Sequence, residues 1–337
     1  QGYEETKDLA VFVKFLISNS QFPKTYILSW TTTPWTLPGN MALAINPKHK
    51  FVKVPDPGEK GGWLILEKES AKRLASIFGT SDVQKIAVNI RTSDVLKLEY
   101  EPLFKIPALQ SPAFAKATAG RPAPYKIYPA DFVTTDEGTG IVHTAVMYGE
   151  DDYELGKKVG LPQHHTVDEH GRFTKDVPAG LAGLFVKSKE TEEKIINHLK
   201  VSGLLFKVEP YTHDYPFCWR CKTPLLYYAR DSWFIAMSKL RKDLLAANKK
   251  INWIPKHLRE GRFGEWLKGV KDWAISRERY WATPLPIWIC VKCGNKVVIS
   301  SSKEIEERGG KPPKDLHRPY IDDVVLNAPM IFDNDKC

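Results

Sequence analysis

The stretch DEGTGIVHTAVMYGEDDYELGKKVG (Asp136–Gly160) carries three structural signals in succession. Gly138 and Gly140 let the backbone turn tightly or approach a ligand closely. The run IVHTAV then alternates as a strand does, which sets His143 on one face. After Gly149 the pattern is helical, and Asp151 and Asp152 fall at its start, where an acid can cap the N-terminus or bind an ammonium group. A strand followed at once by a helix argues for an α/β fold. A lone strand histidine with a capping aspartate is the plain structural alternative to a hydrolytic pocket. No Ser-His-Asp or Cys-His spacing points to a covalent nucleophile.

The flanking sequence extends the same texture. VFVKFLI, TYILSW, FVKV and GGWLILE are short β-branched or aromatic runs bounded by Gly, Pro or Asn. Helical patterns lie between and after them, around Glu67–Phe78 and from Lys189 to a C-terminal stop at Gly203. The mixture predicts a compact α/β, β-barrel-like domain over residues 1–210 with surrounding helices. Residues 108–124, ALQSPAFAKATAGRPAP, have no period and read as an exposed, disordered insertion. Past Pro210 the composition changes, with a cysteine-bearing connection over 211–245 and an aromatic, basic segment over 246–337. A length of 337 residues fits two or three domains.

Composition narrows the function classes. No apolar run approaches the roughly 18 residues of a membrane span. The start, QGYEETKDLAVFVKF, lacks a signal peptide's order and an initiator Met, so an internal segment without a membrane partner is expected. The formal charge of +9 favours a polyanionic partner, with a merely soluble basic surface as the bland reading. Two Cys-x-x-Cys pairs, Cys218/Cys221 and Cys290/Cys293, have the spacing of zinc knuckles and suggest a reducing compartment. Their separation far exceeds the usual ribbon gap of about 15–20 residues, which leaves either one site or two different sites; in the second case Cys337 would be one ligand of a site whose fourth ligand lies beyond the chain.

Two further stretches could hold a nucleotide. WTTTPWTLPGN (Trp30–Asn40) places Thr31, Thr32, Thr33 and Thr36 around Pro34 and Trp35, and the prolines stop it from continuing as a regular strand or helix. Hydroxyls and N–H groups on such a loop can grip ribose or phosphate, although a threonine-rich strand end is also ordinary. DWAISRERYWATPLPIW (Asp272–Trp288) interleaves Arg277 and Trp281, which suits a nucleotide face or an aromatic core flanked by solvated arginines.

Together, WTTTPWTLPGN, GTGIVHTAVMYGEDDYELG, CWRC followed by SWFI, and DWAISRERYWATPLPIW resemble the isoleucyl-tRNA synthetases, class I enzymes with an inserted editing domain. The resemblance covers nearly the whole chain outside 108–124. It implies that the Thr31–Thr33 loop, with Trp35 and Thr36, holds the terminal adenosine of a mischarged tRNA(Ile). It implies that His143 faces the misattached side chain, admitting valine and excluding isoleucine, and that Asp152 binds the α-ammonium group while a positioned water attacks the ester. Zn2+ is the implied cofactor, with ATP and Mg2+ used only by the intact parent, a cytoplasmic monomer. Residues 246–337 would return to a Rossmann-type catalytic core. Val146 and Ala282 depart from the family's usual proline and glycine. The His-x-Gly-His and Lys-Met-Ser-Lys-Ser signatures are absent, which marks the chain as the middle of such an enzyme. A separate deacylase and a non-catalytic zinc-bearing RNA-binding module are the rival expectations.

Overall fold

The structure, a computed structural model, describes residues 2–18, 24–110, 124–277 and 282–327. It divides into two compact units, residues 1–229 and 230–337.

The first unit is built on a mixed six-stranded sheet. Its strands are β1 (Gly2–Leu16), β2 (Thr25–Thr31), β4 (Phe51–Pro55), β5 (Trp63–Glu67), β6 (Val88–Ile90) and β9 (Leu205–Phe217), in the order β6-β4-β5-β2-β1-β9. Only β2 and β5 run parallel within it. A second, three-stranded sheet has the order β7-β3-β8, from β7 (Lys126–Pro129), β3 (Ala42–Ile45) and β8 (Ile141–Thr144). Alternation along β1 divides the core. Val11, Val13 and Phe15 join Leu43, Ile45 and Ile141 in one cluster, while Phe12 joins Leu28, Val54 and Leu64 in another. Within that second layer, buried Lys14 pairs with buried Asp56 at 2.9 Å.

Two expectations change here. Neither sheet closes into a barrel among the described residues: β6 and β9 remain separate edges. The boundary at 210 falls inside β9, which pairs with β1 from Gly2↔Phe217 to Val13↔Leu205. Pro210 marked the change of texture, but an edge strand tolerates a missing N–H on its outer side. The first unit therefore continues through the Cys218/Cys221 turn. Of the proposed 108–124 insertion, residues 108–110 complete a helical turn, Pro107–Gln110, with Leu109 buried; residues 111–123 lie outside the described residues.

The second unit has helices Arg241–Lys250 and Arg262–Lys268 and two short antiparallel ladders, Phe234–Ile235 with Trp273–Ala274 and Ile287–Ile289 with Lys296–Val298. Among its described residues there is no parallel strand pair, so the expected Rossmann-type sheet is not formed by them.

Candidate functional site

The threonine loop and the histidine strand meet in the first unit. Pro34 opens a 3-10 turn, Pro34–Gly39, whose residues are all buried, so the segment is neither open loop nor strand. Proline suits a first helical position because its missing N–H has no intrahelical partner to lose. The chain then enters β3, where Leu43 pairs with His143 of β8. This register carries His143 to the turn: its Nε2 lies 3.0 Å from Thr36 Oγ1. Burial leaves the ring 7% exposed and lowers its pKa to about 4, so it is neutral at pH 7.

Asp152 reaches the backbone just past the same strand. It lies in the first turn of the helix Glu150–Val159 without capping it, because its Oδ2 accepts the Ala145 N–H at 3.1 Å. Burial raises its carboxyl pKa to about 7; the Ala145 hydrogen bond opposes that shift and Asp151 adds to it. Gly149 precedes the helix, and a Cβ there would stand 3.0 Å from Asp152 Oδ2. The strand end thus offers a neutral imidazole and a carboxyl group that ionises easily once a cation approaches.

The other expected residues divide. Thr31 is buried at the end of β2, where its Oγ1 accepts the Thr33 N–H at 3.1 Å. Thr32 and Thr33 are half-buried, and Thr32 lines a cavity of about 60 Å3 with Asp8, Trp35, Lys187 and Glu192. Trp35 is 5% exposed with its ring 5.3 Å from Tyr148, so most of it packs in the core. Gly138 and Gly140 have φ of 59° and 68°. A Cβ on Gly138 would meet the Trp30 ring at 2.9 Å, and one on Gly140 would strike the Glu67 side chain. Their role is to seat the turn before β8 against Trp30 and Glu67. Arg277 belongs to the second unit and donates to the carbonyls of Ala274 and Ser276; Trp281 lies outside the described residues.

Sequence reading missed Tyr148. Its hydroxyl accepts the N–H groups of Thr166 and Val167 at 2.7 and 2.9 Å and contacts Thr166 Oγ1 at 3.0 Å. This clamp holds residues 166–167 against the 3-10 turn, where Gly39 leaves room for the tyrosine ring. Asn40 was missed too: Tyr100 OH donates to its Oδ1 at 2.7 Å, and its Nδ2 donates to Ala42 O. An aromatic beside Gly149 and an asparagine before β3 were visible signals, but their partners are distant in sequence.

The model of the family "tRNA synthetases class I (I, L, M and V)" matches residues 20–328. The chain belongs to the class I tRNA synthetases. This synthetase chain is 46% identical over 331 residues to the isoleucine–tRNA ligase of Clostridium novyi (strain NT), covering 98% of the chain and 30% of that relative. It is 44% identical over 329 residues to the isoleucine–tRNA ligase of Picrophilus torridus, covering 98% and 30%. It therefore spans about 30% of the length of these curated relatives. Among solved structures it is similar to the crystal structure of GlLeuRS-CP1, at 15% identity and TM-score 0.42 over 59% of this chain and 97% of that one. It is also similar to the editing domain of P. falciparum cytosolic leucyl-tRNA synthetase, at 12% identity and TM-score 0.39 over 61% and 100%.

The synthetase's two cysteine pairs sit in turns of one construction. Cys218 donates its N–H to Thr223 O and accepts from Lys222 N–H, with Lys222 at φ 56°. Cys290 donates to Asn295 O and accepts from Gly294 N–H, with Gly294 at φ 73°. The Thr223 hydroxyl, 3.0 Å from Cys221 Sγ, helps lower that thiol's pKa to about 7, which favours thiolate. Each turn fits half of a four-ligand zinc site. Among the described residues no group of three or more His, Cys, Asp or Glu side chains completes either half, and Cys337 lies outside them. No helix among the described residues is long and apolar enough to cross a membrane.

Proposed function

We propose that the first unit is the editing region of an isoleucine–tRNA ligase and hydrolyses valine esterified to tRNA(Ile). The observation that carries this reading is the convergence on one strand end of His143, bonded to Thr36, and Asp152, bonded to Ala145 N–H. The α-ammonium group of a misattached valine is the cation that Asp152 awaits. Its charge replaces the lost hydration and draws the carboxyl to its ionised form. Neutral His143 is too weak a base to activate water at pH 7, so its role is to bound the side-chain pocket. The attacking water is held by the half-buried Thr32 and Thr33 hydroxyls and by the substrate's own ribose.

A second pocket is needed because one methylene supplies about 1–3 kcal/mol, a figure established on this very pair of amino acids and taken as known. The longer parent would attach isoleucine to tRNA(Ile) with ATP and Mg2+, in the cytoplasm and as a monomer. Cys218 with Cys221, and Cys290 with Cys293 and Cys337, would hold Zn2+, which braces the turns they lie in.

The test is the deacylation rate of valyl-tRNA(Ile) and isoleucyl-tRNA(Ile) with the purified chain. Rapid loss of valine with isoleucine spared is expected. A folded chain that binds tRNA and hydrolyses neither ester would instead be an RNA-binding module.

A further inference from the structure

Thr36 Oγ1 has two close polar neighbours, the carbonyl oxygen of Thr33 at 2.8 Å and His143 Nε2 at 3.0 Å, and a longer contact of 3.5 Å to Thr33 Oγ1, whose own hydroxyl can donate to it. A hydroxyl carries one proton, and the shorter contact takes it: Thr36 Oγ1 donates to the Thr33 carbonyl, which can only accept. The same carbonyl also takes the Thr36 N–H at 3.0 Å, which occupies its second lone pair. What the hydroxyl retains for the imidazole is therefore a lone pair, and Nε2 must be the donor.

We propose that Thr36 is a positioning residue for this pocket: its hydroxyl, fastened to the Thr33 carbonyl, holds His143 in the Nε2–H tautomer and fixes the plane of the ring. Nδ1 supports the assignment independently. It is buried and has no partner among the described residues. With the proton on Nε2, the orphan atom at Nδ1 is an acceptor. The other tautomer would bury an unpaired N–H donor, the rarer defect, and would set two lone pairs against each other unless Thr36 released Thr33. Burial also keeps the ring neutral, so both nitrogens cannot be protonated together near pH 7.

The consequence rests on the proposed editing function, whereas the tautomer rests on geometry alone. A ring free to flip about Cβ–Cγ exchanges its nitrogen and carbon edges and so changes the shape of the wall it forms. A pocket that must tell two side chains apart by one methylene needs that wall held still. The bonded ring also offers a substrate no acidic proton: Nε2–H is committed to Thr36, and Nδ1 can only accept.

Long-range 1H–15N correlation on the full chain, labelled in its histidine imidazoles, reads the tautomer directly. His143 signals are assigned by their loss in His143→Gln. A protonated Nε2 and an unprotonated Nδ1 are expected in the parent chain and in Thr36→Ser, which keeps the hydroxyl. Thr36→Val should shift both nitrogens toward averaged values and lower discrimination between valyl- and isoleucyl-tRNA(Ile) by about tenfold, the worth of one hydrogen bond. A parent spectrum with protonated Nδ1, or Thr36→Val with parent nitrogen shifts, overturns the proposal. If Thr36→Val does not fold, the parent and Thr36→Ser spectra decide it. A parent with the expected tautomer and no hydrolysis of either ester would keep the positioning role and reject the editing function.

Discussion

Burial pulls His143 and Asp152 in opposite directions. The pKa of His143 falls from 6.5 to about 4 in the folded chain, so the stability it allows at neutral pH is lost as pH drops from 6.5 through 4. That of Asp152 rises from 3.8 to about 7, so its contribution is full below 3.8 and is lost as pH climbs through 7. Between pH 4 and 6.5 the two slopes oppose each other. Urea unfolding of His143→Gln should therefore show stability rising as pH falls across that window, and Asp152→Asn the reverse. Each slope should approach about 1.4 kcal/mol per pH unit at most, and parallel profiles for the two variants would refute the assignment. In deacylation assays, Asp152→Ala should lose most activity toward valyl-tRNA(Ile), whereas His143→Ala should chiefly admit the isoleucyl ester. Undiminished hydrolysis by Asp152→Ala would remove it as the ammonium anchor. The turn, strand and helix start that carry His143 and Asp152 were legible in the sequence because they lie in one short stretch. The Thr36–His143 bond was not, because 107 residues separate its ends and only the β3–β8 register joins them.

Among the elements, the turn before β8 shows what its glycines are for. Gly140 and Gly180 share φ of 68°, but a Cβ on Gly180 meets nothing within 4 Å, whereas one on Gly140 strikes Glu67. Glu67 caps the helix Lys68–Arg73 by accepting the Ser70 N–H at 2.7 Å. Gly140→Ala should therefore combine backbone strain with a lost cap, about 2–4 kcal/mol by urea unfolding, and Gly180→Ala the strain alone. Equal losses would mean that Glu67 yields without cost. Tyr148→Phe should cost about 1–3 kcal/mol by leaving the N–H groups of Thr166 and Val167 unpaired. The strands β2, β4, β5 and β8 announced themselves as β-branched runs. β9 did not, since the change of composition past Pro210 reads as a domain boundary until β1 is seen beside it, and the buried ALAI of β3 is too short and uniform to show a period.

Across the whole molecule, the charge of +9 is the feature that chain length and composition stated most plainly. Binding of tRNA(Ile) by the chain should weaken steadily with the logarithm of salt concentration, and a salt-independent affinity would remove the polyanion from the account. The α/β class was readable from local patterns, but closure of the sheet was not, because it depends on which edges meet. The ladder between β1 and β9 shows how far apart such edges are. Among the described residues, residues 2–10 of β1 have their ladder partners in β9 alone, and β2 meets β1 only at residues 11–16. During synthesis, then, residues 2–10 leave the ribosome long before their partners in β9 do, and completing the ladder means closing a loop of about 200 residues. Until Phe217 emerges, the nascent chain carries an open strand edge, a period in which a chaperone or a neighbouring copy has the first opportunity to bind.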